Sequence, residues 1–263
     1  MSGLSAPWSG LARHAPLLPP AFAERLPDGM PVALAELPAL LRARVLAVPP
    51  FEGVWLRADS PGWPAALRGL AGAPVALAWE GERALLNEPA VAIVGTRRCT
   101  ATGRRLCREL AGGLAANGVV VVSGLAAGID CEAHLAAGGR TIAVLGQGLS
   151  SPMPGWQARV RERILAAGGL VLSEYPPGAS PDRWTFPRRN RIIAGLAQAT
   201  VVVEAGHRSG AKITAHHAVE YGRRVLAVPG LPGCESFEGC LDLIEEGAEV
   251  YRGLASVLVP APR

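Results

Sequence analysis

From Val91 onward, short unbroken apolar runs alternate with helix-length segments: VAIVG (91–95), VVVVSG (119–124), TIAVLG (141–146), LVLSEY (170–175), TVVVEA (200–205) and RVLAVPG (224–230). Strands apolar at every position are buried on both faces, and their spacing by helical patterns marks crossover connections. The pattern predicts an α/β fold over residues 86–255, a doubly wound, mainly parallel sheet. Residues 1–85 are rich in Pro and Trp, with one predicted helix at LAELPALLRARVL (34–46) and a turn-rich stretch, DSPGWPAALRG. They read as a small N-terminal appendage of unspecified fold. After a last helix, CLDLIEEGA, and a short EVYRG, residues 256–263 form a tail.

Nearly every predicted strand ends in Gly or a small polar residue followed by a loop that opens a helix: GTRR, SGLAAGID, GQGLS, EAGHRSGAK and PGLPG. In an open parallel sheet these loops collect along one edge, where ligands bind beside helix N-termini. The predicted crevice therefore includes Gly146 and Gly148 of GQGLS as well as the loops considered next.

The run FPRRNRIIAG places Arg188, Arg189 and Arg191 at a helix start, where unpaired N–H groups and the positive end of the helix dipole disfavour cations. An anion docked against them would offset that cost. Phe186 and Pro187 set the approach to the helix, and Asn190 offers hydrogen bonds to a phosphate or a base edge. The alternative is a solvated basic turn paired with Asp182, Glu174 or Glu204; three forked donors exceed what one such carboxylate satisfies. A second basic helix start follows VAIVG, with Gly95, Thr96, Arg97, Arg98 and Thr100, then Arg104 and Arg105. Gly lets backbone approach a phosphate and Thr supplies a donor.

Other constellations carry less. In SGLAAGIDCEAH, Ser123 and Gly124 read as crevice lining, Asp130 as the N-cap of the next helix and His134 as structural; the elbow and zincin spacings are absent. In GHRSGAK the S-x-x-K spacing lacks the companion motifs of acyl enzymes, so Ser209 and Gly210 read as an anion nest, with Lys212 or Arg208 adding charge. His207, His216 and His217 lack metal-ligand spacing. No metal or cofactor is expected.

Composition adjusts the reading only slightly. With 263 residues, 49% hydrophobic and 18% charged, the chain can bury a large core, and a net charge of +4 supports nucleic-acid binding weakly. Of 26 basic residues only Lys212 is lysine, so arginine counts are discounted as compositional bias. Five cysteines, an odd number without C-x-x-C spacing, argue against disulfides or zinc. With no secretion signal and no bilayer-length apolar run, the expected location is the cytoplasm, away from membranes.

The ordered segments VAIVGTRRCTATG, VVSGLAAGIDCEAH, TIAVLGQGL, LVLSEYPPG, FPRRNRIIAGL, VVVEAGHRSGAKITA and RVLAVPG resemble the motifs of the bacterial DNA-processing family called DprA or Smf, over roughly residues 87–250. DSPGWPAAL upstream resembles that family's D-x-x-Y-P-x-x-L. The resemblance implies an extended Rossmann-like domain that binds single-stranded DNA, forms a homodimer, protects incoming DNA in natural transformation and helps load the RecA recombinase. By motif it places Gly95, Thr96 and Arg97 in one binding loop and Ser123, Gly124, Gly128 and Asp130 in a second. It adds Phe186, Pro187, Arg189, Asn190 and Arg191 in a third and Ser209 to Thr214 in a fourth. Departures are Thr102 in place of an aromatic residue, Lys212 in place of an apolar one, and the absence of the family's Tyr-Pro in SPMPGWQARV and of its G-T-N in CESFEGCLDLI.

The expected function is thus non-enzymatic single-stranded DNA binding. Arg97, Arg98, Arg188, Arg189, Arg191 and Lys212 are placed on the backbone, about four to six phosphates are neutralised, and Phe186, Trp184 and Trp156 are available to stack bases. The rival is a nucleotide phosphoribohydrolase using a PGGxGTxxE loop, for which PGLPGCESFE is a near miss: Leu231 and Cys234 depart from the motif and Glu238 falls one position late.

Overall fold

The computed structural model describes residues 8, 9, 11, 35, 37–46, 53–231 and 233–258. Residues 34 and 36 of the helix expected over 34–46, and most of the expected tail, lie outside them; Leu37 and Pro38 are not helical, and the helix, α1, runs over Ala39–Leu46. The strands are β1 (Trp55–Arg57), β2 (Ala76–Gly81), β3 (Ala90–Val94), β4 (Val120–Ser123), β5 (Thr141–Leu145), β6 (Leu170–Ser173), β7 (Ala199–Val202), β8 (Arg224–Ala227) and β9 (Glu249–Val250). The helices that follow α1 are α2 (Ala101–Ala116), α3 (Ile129–Ala137), α4 (Gly155–Ala166), α5 (Thr185–Leu196), α6 (Gly210–Glu220), α7 (Glu238–Glu245) and α8 (Leu254–Leu258).

All nine strands join one sheet in the order β1-β2-β6-β5-β4-β3-β7-β8-β9. Pairings from β6 across to β9 are parallel, whereas β1 with β2 and β2 with β6 are antiparallel. The six apolar runs read from the sequence are β3 to β8, in a Rossmann-like, doubly wound arrangement. Two strands, β1 and β2, come from the stretch read as an appendage. β1 is the edge strand and β2 lies between it and β6; at three residues (WLR) and four apolar positions (ALAW), they carry only short apolar stretches.

The chain steps outward from β3 through β4 and β5 to β6, then returns across the sheet to β7 on the other side of β3. With right-handed crossovers, α2, α3 and α4 cover one face and α5 and α6 the other. The contacts agree: α2 packs on α3 and α3 on α4, while α5 packs on α6. Helix α2 shows why the sequence folds this way, since Cys107, Leu110, Ala111 and Leu114 recur at helical spacing and are buried against the sheet. The central strands β3 to β5 are buried at every position, so their registers are fixed by apolar contact on both sides. Strand order reverses between β3 and β7, and the crevice of a doubly wound sheet opens at that point.

Candidate nucleic-acid interface

At the C-terminal ends of β3 and β7 lies a crevice of about 730 Å³. One bank is the loop after β3, with Gly95, Thr96 and Arg97; the other is the loop after β7 and the start of α6, with Arg208, Ser209 and Gly210. The first turn of α5 closes the end with Phe186, Arg189 and Asn190, and Arg183 lies just before it. Residues from all four sequence-derived loops therefore converge, among them Gly95, Thr96, Arg97, Asp130, Phe186, Pro187, Arg189, Asn190, Ser209 and Gly210. Ser209 caps α6, its hydroxyl accepting from the Ala211 N–H, and Asn190 Nδ2 donates to Gly210 O at 3.2 Å, fastening α5 to the start of α6.

The arginine triplet behaves differently from expectation. Arg191 forms a forked pair with the buried Glu174, Nη1–Oε1 at 3.1 Å and Nη2–Oε2 at 2.6 Å. Arg188 Nε lies 3.8 Å from the same carboxylate. Arg189 is buried and donates through Nη1 to the Gly124 and Val144 carbonyls at the ends of β4 and β5. One carboxylate plus two strand-end carbonyls absorb the charge that the sequence assigned to a ligand. Arg189 still forms part of the crevice wall, but Arg188 and Arg191 do not reach it. Burial lowers the Arg189 guanidinium to about 10, against the favourable field of Asp130.

The helix start after β3 is also occupied from within. Glu204 is buried, and its carboxylate accepts from Thr100 N at 3.0 Å and Thr100 Oγ1 at 3.0 Å, while Thr100 Oγ1 accepts from Gly103 N. Thr100 thus serves an internal anion, which supplies the negative charge that the start of α2 favours. Arg104 pairs with Glu132 and Arg105 with Glu109, so this second basic start is neutralised by neighbours. Arg98 is exposed outside the crevice, its N–H donating to Thr96 Oγ1.

Of the remaining expected residues, several support the crevice from behind. Ser123 donates to Ile93 O at 2.6 Å between β4 and β3. A Cβ on Gly124 would lie 2.2 Å from Arg189 Nη1, and one on Gly128, whose φ is +79°, would lie 2.3 Å from Thr96 O. Both glycines let polar groups pass closely, a role in packing where the sequence suggested phosphate contact. Gly146 abuts Phe186, and Gly148 abuts the Pro176 and Pro177 carbonyls. Lys212 turns away to pair with Asp242 at 2.7 Å and Glu246 at 3.6 Å, so Arg208, not Lys212, supplies charge on that bank. Arg183 escaped the sequence reading because its only mark is one basic residue two positions ahead of a helix, in a chain full of arginine.

Asp130 is not the N-cap of α3; Gly128 holds that position. The carboxylate folds back to accept from Gly124 N at 3.1 Å and Ala126 N at 3.4 Å, bracing the loop. Burial raises its pKa, opposed by Arg189. Between them Leu125 has φ +55°, the one non-glycine residue with positive φ among the described residues. Its N–H donates to His134 Nε2 at 3.3 Å and its carbonyl accepts from Gln157 Nε2 at 3.0 Å. Thr141 Oγ1 donates to Val121 O, so its lone pair takes the proton on His134 Nδ1. The network assigns a neutral Nδ1–H imidazole.

Burial, with Arg189 nearby, lowers the His134 pKa from 6.5 to about 3. The unfolded chain therefore binds a proton that the folded one refuses, and this contribution is complete above the unfolded value and declines as pH falls from there towards the folded one. Between about pH 7 and about pH 5 the wild type should lose about 2 kcal/mol through this group. Urea denaturation of His134→Gln at both pH values should show that much less pH dependence; parallel profiles would contradict the neutral assignment.

The carboxylate that a phosphoribohydrolase would need, Glu238, accepts from Gly233 N at 3.2 Å inside its own loop and does not line the crevice. Among the described residues no group of His, Cys, Asp and Glu is placed to hold a metal ion, and no helix is long and apolar enough to cross a membrane.

A family profile described as DNA recombination-mediator protein A matches residues 55–260. A Synechocystis protein named Smf is 46% identical over 203 residues, covering 74% of this chain and 51% of that protein. The DNA processing protein DprA of Streptococcus pneumoniae is 47% identical over 191 residues, covering 71% and 66% respectively. The chain thus spans half to two thirds of the length of these relatives. The X-ray structure of the S. pneumoniae DprA superposes with a TM-score of 0.78 at 38% identity, covering 90% of this chain and 85% of that one. DprA from Helicobacter pylori, whose structure is described as giving insight into a single-stranded DNA binding mode, superposes at 0.71 with 31% identity, covering 78% and 94%. The matched region contains the sheet, the switch point and both banks of the crevice. The chain belongs to the DNA recombination-mediator protein A family, the family of the Smf and DprA proteins.

Proposed function

We propose that this protein binds single-stranded DNA in the crevice at the β3/β7 switch point, without catalysing a reaction on it. The observation that carries this reading is three exposed guanidinium groups, Arg97, Arg183 and Arg208, around one crevice, none with an ion-pair partner among the described residues. They flank the start of α6, where N–H groups already favour negative charge. Loops and helix ends bound the crevice, a shape that takes one backbone, whereas duplex readers present a helix to the major groove. The single-stranded DNA bound by the H. pylori relative supports the same ligand class. Protection of incoming DNA, homodimerisation and loading of the RecA recombinase in the cytoplasm are proposed with it, on the family resemblance.

Three phosphate contacts, fewer than the sequence suggested, correspond to a log–log salt slope of about −2 for single strands. Fluorescence anisotropy of a labelled oligothymidylate across a salt series should return that slope, with weaker binding of the matching duplex. Affinity indifferent to salt, or duplex preference, would refute the proposal.

A further inference from the structure

Behind the segment that closes the crevice lies a second cavity of about 910 Å³. Tyr175, Pro176, Trp184, Pro187, Ile213 and His217 form its walls. It adjoins the crevice: Asp182, Pro187 and Ile213 line both. Two of its wall residues are large exposed hydrophobics, Trp184 at 66% and Ile213 at 37%. A tryptophan left this open in a chain with a large core is a surface that something flat and apolar covers.

The walls are built to hold their position. Asp182 Oδ1 accepts from the Trp184 N–H at 2.6 Å and the Thr185 N–H at 2.9 Å, fixing the backbone that carries the indole. Tyr175 Oη donates to Thr185 O at 3.1 Å from the opposite side. The loop between them is pinned to the loop after β5, Gly148 N donating to Ala179 O and Ser150 N to Pro177 O. The Arg183 guanidinium lies 4.8 Å from the Trp184 ring centroid while also lining the crevice. This cation belongs to the crevice and stacks on the ring that walls the cavity, so it stands at the boundary between the two spaces.

We infer that this cavity is a nucleobase subsite, in which Trp184 stacks the base of a nucleotide next to the one whose phosphate occupies the crevice. The inference rests on the single-stranded DNA reading. Its occupant follows from the walls the two spaces share and from Arg183: a chain whose phosphate meets Arg183 has its neighbouring base within reach of the ring beside it. Stacking of this kind tolerates any base, because every base presents a π-face.

The test compares wild type, Trp184→Ala, Trp184→Phe and Arg97→Ala/Arg208→Ala by anisotropy, using an oligothymidylate and an abasic oligomer with the same sugar–phosphate backbone. Trp184→Ala should weaken oligothymidylate binding about tenfold with an unchanged salt slope, and Trp184→Phe should restore most of it. Wild type and Trp184→Ala should bind the abasic oligomer equally. Equal oligothymidylate binding by wild type and Trp184→Ala, with binding weakened in Arg97→Ala/Arg208→Ala, would overturn this subsite and leave the crevice standing. Absence of single-strand binding by wild type would remove both. Conversion of a dimer to a monomer by Trp184→Ala in sedimentation would give the surface to a second copy instead, and likewise overturn the inference.

Discussion

Glu174→Ala should lower the stability of this protein by about 3–5 kcal/mol, the cost of leaving a buried guanidinium without its counter-charge. Glu174 and Arg191 have side chains only 3% and 10% exposed, and their two hydrogen bonds are parallel and short, so neither group has water to fall back on. Arg188 loses its acidic neighbour in the same variant, but its 20% exposed side chain has a route to solvent. The double variant Glu174→Leu/Arg191→Met removes both charges and should recover most of the loss, since a well-packed apolar pair avoids the desolvation cost. Urea midpoints for the two variants check this. A single-variant loss below about 1 kcal/mol would mean that Arg191 spends its time facing outward, available to an anion as the sequence first suggested.

Arg97→Ala/Arg183→Ala/Arg208→Ala should lower affinity for an oligothymidylate on the order of 100-fold at low salt, taking about 1 kcal/mol per charged hydrogen bond lost. The salt slope should flatten by about 2 in the same variant. These side chains are exposed and have no ion-pair partner among the described residues, so the thermal midpoint should hold. The comparison with Glu174→Ala separates two kinds of arginine: one kind whose loss is felt in folding, the other whose loss is felt in binding. Unchanged affinity in the triple variant would dismiss the crevice as the DNA site.

The parallel strands were legible because burial on both faces leaves an unbroken apolar run, as in VVVV before Ser123. β1 and β2 were not, since β1 is a three-residue edge strand and β2 joins the sheet by pairing antiparallel with β6, far along the chain. A crevice at the strand ends followed from the loops, whereas its place between β3 and β7 came from the strand order, which the sequence does not print. The allocation of charge within it did not. FPRRNR announces cations, but whether a guanidinium meets a ligand or a carboxylate depends on Glu174, at the far end of the loop that leads into α5. Likewise the glycines of SGLAAGID were evident, whereas the groups they make room for, Arg189 and the Thr96 carbonyl, are brought near only by the sheet.

Glu204 gives this arrangement a direction. Its carboxylate occupies the start of α2 from beneath, so that helix end is already supplied with negative charge, while the start of α6 across the gap has only the neutral hydroxyl of Ser209 as its cap. The electrostatic field between the two banks is consequently lopsided. A strand in the proposed site would meet unequal fields from the two banks, and part of that difference would come from a buried side chain that never touches it.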